Sequence, residues 1–315
     1  MPTEPVIAVA SEAGSPERCP GCGARRPQTT HMLDGHDRLT GAPGRFTVVG
    51  CRSCGLAFTR PRLRAEDFAT FYPDDYSAYE PRARLRDHLT PGLLLDRLRL
   101  EAVIRFGPYR RVWRRGPGSL LDVGCGSGDL AAVFAGHGYR VCGIEPSEVA
   151  AARARGGGID VHHGTLDDAP WPAGTFDTVI FNHSLEHVDD PADALRRAAA
   201  LLRPGGLLAV AVPNFGSWHR RVFGSAWFQL DLPRHVQHFD RSSLVALMRS
   251  AGLRPVAAGA GSMRPSLLGS LQYAAFGSLR WSGRGFQLLT WALLPLTAAT
   301  DRLGEGDCLH VTAQR

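Results

Sequence analysis

Leu120-Leu121-Asp122-Val123-Gly124-Cys125-Gly126-Ser127-Gly128-Asp129-Leu130, followed by Val141-Cys142-Gly143-Ile144-Glu145, decides the reading of this chain. An apolar run ends in an acid, passes through a tight glycine turn, and gives way to a second apolar run that ends in another acid. Glycines let backbone approach a ligand closely, and a helix N-terminus beside them favours polar groups. A carboxylate at the tip of the second strand can accept hydrogen bonds from both hydroxyls of a ribose. The pattern predicts a nucleoside site in an open α/β sheet. An αL turn that binds nothing is the bland alternative.

The turn reads Gly-x-Gly-x-Gly, which is neither the Gly-x-Gly-x-x-Gly of a dinucleotide site nor a P-loop. Outward from it, strand-like and helix-like segments alternate, which predicts a mostly parallel sheet covered on both faces. We expect strands at 119–123, 140–144, 159–162, 176–182 and 206–212, and helices at 129–137, from 147, and at 191–202. Pro204-Gly205 should stop the last of these helices. A further helix opens at Arg241 and ends at Gly252, and 254–260 and 308–313 form an antiparallel edge pair. Residues 264–300 are apolar and punctuated by Gly, Pro and Ser. They could shape an acceptor pocket, pair with a second subunit or touch a membrane.

Asp122-Val-Gly-Cys-Gly-Ser-Gly resembles the first motif of class I S-adenosylmethionine-dependent methyltransferases. Phe176-Asp-Thr-Val-Ile-Phe-Asn-His-Ser-Leu-Glu-His-Val188 resembles that family's fourth strand, and Leu201-Leu-Arg-Pro-Gly-Gly-Leu-Leu208 its turn into the fifth. Asp231-Leu-Pro-Arg-His-Val-Gln-His-Phe239 is similar to a segment of the small-molecule and sugar-modifying branch. The resemblance covers about residues 70 to 315. It implies a Rossmann-like, doubly wound, mostly parallel seven-stranded sheet with S-adenosyl-L-methionine as cofactor. It further implies that Gly124, Gly126 and Gly128 approach the amino-acid portion and ribose, that Asp122 orders the turn, and that Glu145 takes the ribose hydroxyls. Thr165 and Leu166, after Gly164, would flank the adenine, although many relatives carry an acid where Thr165 stands. Asn182 and His183 would contact the methionine part, and an N-terminal segment holding Tyr76 and Tyr79 would lie over the cofactor or pack on the sheet.

Cys19-Pro-Gly-Cys22-Gly and Cys51-Arg-Ser-Cys54-Gly are two Cys-x-x-Cys-Gly knuckles. Each turn aims two thiolates at one point, and two such turns complete a tetrahedral zinc site of structural type. The runs 46–49 and 56–59 should form a hairpin around the second knuckle. Two disulfides or a redox pair are the alternatives. Cys125, Cys142 and Cys308 read as small buried residues. The expected organisation is a disordered leader at 1–18, a zinc-ribbon-like module at 19–60, a linker with covering helices at 61–118, and a methyltransferase domain at 119–315.

The chain has 315 residues, 44% of them apolar, enough for a sizeable core. All 36 basic residues are arginine, which removes lysine-nucleophile chemistry. A net charge of +6 fits a phosphate-bearing acceptor, an acidic membrane surface or nucleic acid. Ten arginines between Arg82 and Arg115 read first as the solvated face of an amphipathic helix. No secretory signal and no apolar run of roughly 18 residues is seen, so a cytoplasmic protein without a transmembrane segment is expected.

Methyl transfer from a sulfonium needs alignment and desolvation, and a hydroxyl acceptor also needs its proton removed. His187 or His235 is the expected base, with Glu186 beside them and Arg234 steadying an anionic acceptor. A packing role for each histidine, and a helix-start role for Glu186, are the plain alternatives. Asn182-His-Ser-Leu185 stands where base-amine methylases carry Asn/Asp-Pro-Pro-Tyr/Phe, which disfavours nucleic acid. The expected reaction is O-methylation, or C-methylation, of a sugar, glycan, lipid or other secondary metabolite. An RNA methyltransferase with a zinc-ribbon reader and a non-catalytic cofactor-binding scaffold are the alternatives.

Overall fold

In this computed structural model the described residues are 18–63, 68–71, 101–102, 104–280 and 283–315. The leader expected at 1–18 (all but Arg18), Tyr76, Tyr79 and the arginines from Arg82 to Arg99 lie outside them. Of the basic stretch, helix Arg110–Arg115 is visible, with Val112 buried and its arginines exposed, as an amphipathic solvated face requires.

Eleven strands are described. β4 (Ser119–Val123), β5 (Arg140–Glu145), β6 (Asp160–His163), β7 (Phe176–Asn182), β8 (Leu202–Pro213), β10 (Arg254–Gly261) and β11 (Cys308–Gln314) form one sheet in the order β10-β11-β8-β7-β4-β5-β6. Pairing is parallel from β8 to β6, and β11 runs antiparallel to both neighbours. The order reverses beside β4, so the crevice at the carboxyl ends of β4, β5 and β7 lies at a topological switch point.

Alternation along the strands covers both faces. Leu121, Val179 and Leu208 face one core with Leu195, Leu244 and Met248, whereas Leu120, Ile180 and Ala209 face another with Tyr109, Val112 and Phe134. Helix Glu148–Gly156 is capped by Ser147, and helix Arg241–Ser250 by a reciprocal pair of Asp240 and Ser243. β8 begins four residues before the expected Gly206. The strand runs through Pro204 and Gly205, whose φ of +75° accompanies a register shift against β7 between Phe176 and Thr178.

The second sheet is antiparallel: β1 (Thr29–Gly35), β2 (Phe46–Cys51) and β3 (Ala57–Arg60), then β9 (Gln237–His238). The hairpin expected around the second knuckle is β2 and β3. Its edge is closed by β9, contributed from far along the chain through Ala57 to His238 and Phe58 to Gln237. The boundary between module and main domain is therefore one of sequence and not of packing.

A buried ion pair ties the module to the loop that leads into β9. Arg234 lies 1% exposed, and its guanidinium holds Asp37 at 2.7 and 3.2 Å and Asp231 at 2.6 Å. Removing one partner of such a pair leaves an uncompensated charge. Arg234→Ala, which would leave Asp37 and Asp231 without their shared guanidinium, should lower unfolding free energy by about 3–5 kcal/mol in urea titration. A loss below about 1 kcal/mol, the range of exposed pairs, would show that this bridge does not hold the module to that loop.

Candidate active site

The glycine turn follows β4. Gly124, Gly126 and Gly128 have φ of +72°, +55° and +84°, a region that side chains disfavour. At Gly124 a Cβ would sit 2.5 Å from the Cβ of Ser184, because the exit of β7 lies against the turn. Ser184 fixes that approach by donating its hydroxyl to the Val123 carbonyl at 2.5 Å.

Glu145 orders the turn, and Asp122 does not. The Glu145 carboxylate accepts from the Gly126 amide at 2.8 Å and the Ser147 amide at 2.9 Å, while the amides of Gly124 and Cys125 go to the Ile144 carbonyl. Asp122 is buried, and among the described residues its Oδ1 has no hydrogen-bond partner, which corrects the expected role. Burial, with Glu145 nearby, pushes its carboxyl up to about 7. Each Glu145 oxygen retains an acceptor site after its one backbone bond. Beyond β6, Thr165 donates its amide to Asp168 at 2.7 Å, and Leu166 is buried in the core beside the crevice.

Asn182, at the end of β7, accepts a 2.7 Å bond from the hydroxyl of Tyr109, which is fully buried. His183 follows with φ of +53°, uncommon for a residue with a side chain. Its Nδ1 lies 3.4 Å from Glu186 Oε1 and its Nε2 lies 3.6 Å from Cys308 Sγ. Burial alone would lower the imidazole pKa, but Cys308 and Glu186 outweigh it and hold it well above 6.5. Tyr109 and Cys308 were not anticipated: the first sits among arginines, and the second reaches His183 across 125 positions. Cys125, Cys142 and Cys308 are half-buried, more open than expected.

Glu186 is fully buried, and neither carboxylate oxygen has a hydrogen-bond partner among the described residues. Three histidines surround it. The ring of His187 packs edge-on to His235 at 4.8 Å between centroids, and His235 Nε2 lies 3.9 Å from Glu186. Both rings are oriented through Nδ1, by the Arg234 carbonyl at 3.0 Å for His187 and the Gln229 carbonyl at 2.9 Å for His235. A carbonyl only accepts, so each Nδ1 carries the proton and Nε2 is the basic nitrogen of the neutral ring. Burial drops the His235 pKa to about 4, with the neighbouring His187 adding to the fall. Glu186, His187 and His235 each offer one ligand atom within 4.8 Å of the others, a spacing that could hold a cation.

Arg234 does not face this cluster as an anion clamp. Its guanidinium is committed to Asp37, Asp231 and the Phe71 carbonyl, so its expected role toward an acceptor is withdrawn. What it contributes is its own carbonyl to His187. The module reaches the same loop by a second route: Thr59 donates its hydroxyl to the His235 carbonyl at 2.8 Å and its amide to the Val236 carbonyl at 3.0 Å.

The four knuckle sulfurs converge within 4.8 Å, with Cys19 and Cys54 at 3.5 Å and Cys22 and Cys51 at 4.0 Å. Gly23 and Gly55, both at positive φ, close the two turns by donating to the Cys19 and Cys51 carbonyls. Burial raises the Cys51 thiol, but the amides of Cys54 and Ser53 pull it down to about 7. All four donors are thiols, which fits a closed tetrahedral zinc site.

A family described as the methyltransferase domain matches residues 94–258, just over half of the chain. A ubiquinone biosynthesis O-methyltransferase of Aromatoleum aromaticum is 37% identical over 147 residues, spanning 42% of this chain and 63% of that protein. A probable S-adenosylmethionine-dependent methyltransferase of Mycolicibacterium smegmatis is 33% identical over 148 residues, spanning 46% and 55%. The chain thus spans less than two thirds of the length of these relatives. Among solved structures, the cyclase SpnF superposes with a TM-score of 0.51 at 21% identity, over 79% of this chain and 93% of that one. Geranyl diphosphate C-methyltransferase of Streptomyces coelicolor gives 0.50 at 17% identity, over 75% and 88%. These two share the fold.

The titration of Asp122 has a checkable consequence. An unfolded aspartate titrates near roughly 4, so a native value raised to about 7 favours the native state most at low pH. That contribution is complete below about 4 and is lost as pH rises through 7. Without cofactor, Asp122→Asn should therefore gain in Tm over the wild type at pH 8 and lose that gain by pH 4. Parallel pH profiles for the two proteins would contradict the assignment.

Proposed function

Because the chain belongs to the class I S-adenosylmethionine-dependent methyltransferases, we propose that it transfers a methyl group to a hydroxyl of a small-molecule acceptor. The observation that carries this reading is the convergence of Glu145, the glycine turn and the oriented histidine cluster on one rim of the sheet. Bound S-adenosylmethionine supplies an activated methyl on a sulfonium. The ribose would sit on the remaining acceptor sites of Glu145, with Gly124, Gly126 and Gly128 against its amino-acid portion. Thr165 and Leu166 would flank the adenine, and Asn182 and His183 would lie nearest the methionine part.

The acceptor proton is taken by the His187–His235 pair. His187 is the half-buried member and the better placed to meet an acceptor, while buried His235 is held neutral beside it. Glu186 stabilises positive charge that develops on either ring. The names of the similar proteins from Aromatoleum aromaticum and its counterparts favour O-methylation of an aromatic or lipid-like acceptor. A sugar or glycan hydroxyl offers the same chemistry. We also propose that Cys19, Cys22, Cys51 and Cys54 hold one structural zinc.

Calorimetry with S-adenosylhomocysteine should show one site per chain. Glu145→Ala should weaken it by about 1.5–3 kcal/mol, the worth of charge-assisted hydrogen bonds. Wild-type protein that binds none would remove the reading. His187→Ala should lower kcat by about 10²–10⁴ with S-adenosylhomocysteine affinity unchanged. Turnover equal to wild type in both His187→Ala and His235→Ala would reject the base assignment. Elemental analysis of reduced, folded protein should return one zinc per chain, and none in Cys51→Ser.

A further inference from the structure

The methyl-transfer reading leaves residues 264–302 without a role. They fold as three mutually packed helices, Arg264–Phe276, Gly283–Ala292 and Leu294–Arg302, inserted between β10 and β11. The inner side is ordinary core: Leu267, Leu268 and Tyr273 are buried. The outer side is apolar too. Of twelve exposed large apolar side chains among the described residues, seven fall between Leu271 and Leu303, so the exposure is concentrated there. Leu288 is 70% exposed, and Leu271, Leu279, Leu289 and Leu296 are each 40% or more. Patches of this kind mark interaction surfaces.

Charge selects the partner. The insertion carries Arg264, Arg280, Arg284 and Arg302 against a single acid, Asp301, whose carboxylate accepts from the Ser262 hydroxyl at 2.6 Å. A second copy of the insertion would meet this net positive charge with only the already bonded Asp301 to offset it. A lipid surface bearing anionic headgroups meets both demands: apolar side chains enter the acyl boundary and arginines meet the phosphates. No described helix is long and apolar enough to cross a bilayer, so the helices would lie in its plane.

We infer that this helical insertion seats the protein on an anionic lipid surface. The seat is coupled to the site by direct packing. The Phe228 amide donates to Ser270 Oγ at 2.9 Å, and the Phe228 and Tyr273 rings lie 5.7 Å apart. The next residue, Gln229, supplies the carbonyl that orients His235. A surface-bound enzyme thus holds its histidine loop through Gln229, next to the residue that packs on helix Arg264–Phe276.

The test is co-sedimentation of the full chain with vesicles of phosphatidylcholine, alone or mixed with phosphatidylglycerol. Binding should require phosphatidylglycerol and fall at least about tenfold when salt is raised to 1 M, as an electrostatic contribution demands. Leu288→Asp combined with Leu289→Asp, and separately Arg280→Glu, should each cut binding at least about tenfold at unchanged S-adenosylhomocysteine affinity. That affinity reports on the cofactor site independently, so failure of either idea is told apart. Wild-type protein that ignores the mixed vesicles would overturn the inference. So would variants that keep full vesicle binding, or a wild-type dimer in light scattering that the leucine substitutions dissolve.

Discussion

One carboxylate ties together the crevice at the carboxyl ends of β4, β5 and β7. Glu145 stands at the tip of β5 and ties the glycine turn after β4 to the start of the following helix. Its bond to the Gly126 amide fixes the middle of three alternating positive-φ glycines, whose first amide is held by the Ile144 carbonyl. Burial raises its pKa, and the Ser147 and Gly126 amides oppose that rise without cancelling it. The same two bonds leave each oxygen acceptor capacity that the polar hydrogens of a ligand can use.

Around this centre the protein builds a second constraint, on the histidine loop. The segment 229–238 carries no long element of its own and would be loose if left alone. It is fixed from three sides: by Arg234 on Asp37 and Asp231, by Thr59 on the backbone at 235 and 236, and by the Val236 amide on the Glu186 carbonyl. Two of those anchors come from the cysteine module. The module is thus built into the site wall, a use that needs no nucleic-acid ligand. Glu186 pulls positive charge toward itself from His183, and the opposite shifts of His183 and His235 divide the imidazoles into a charged and a neutral one.

Much of this was legible in the sequence where one residue type answers one physical demand. β4 and β7 have the expected bounds because each is a short, mainly apolar run that begins just after a glycine-containing turn. The antiparallel edge of β10 and β11 and the second-knuckle hairpin followed from the same reasoning. β1 was not seen because its mostly exposed side chains do not alternate, and β9 is two residues long. Asp37 left no trace, since its partner lies 197 positions away. Asp122 misled for a related reason: an acid before a glycine turn looks like its organiser, yet the organiser is the acid one strand over. Residues 264–300 defeated periodicity because their helices are apolar on both the inner and the outer side.

The most direct test of the account is a crystal structure with S-adenosylhomocysteine. The ribose hydroxyls should lie within hydrogen-bond distance of both Glu145 oxygens, with the sulfur directed at the β7 exit between Asn182 and the His187–His235 pair. Density for the nucleoside anywhere else, or a crevice filled by the protein's own side chains, would contradict it.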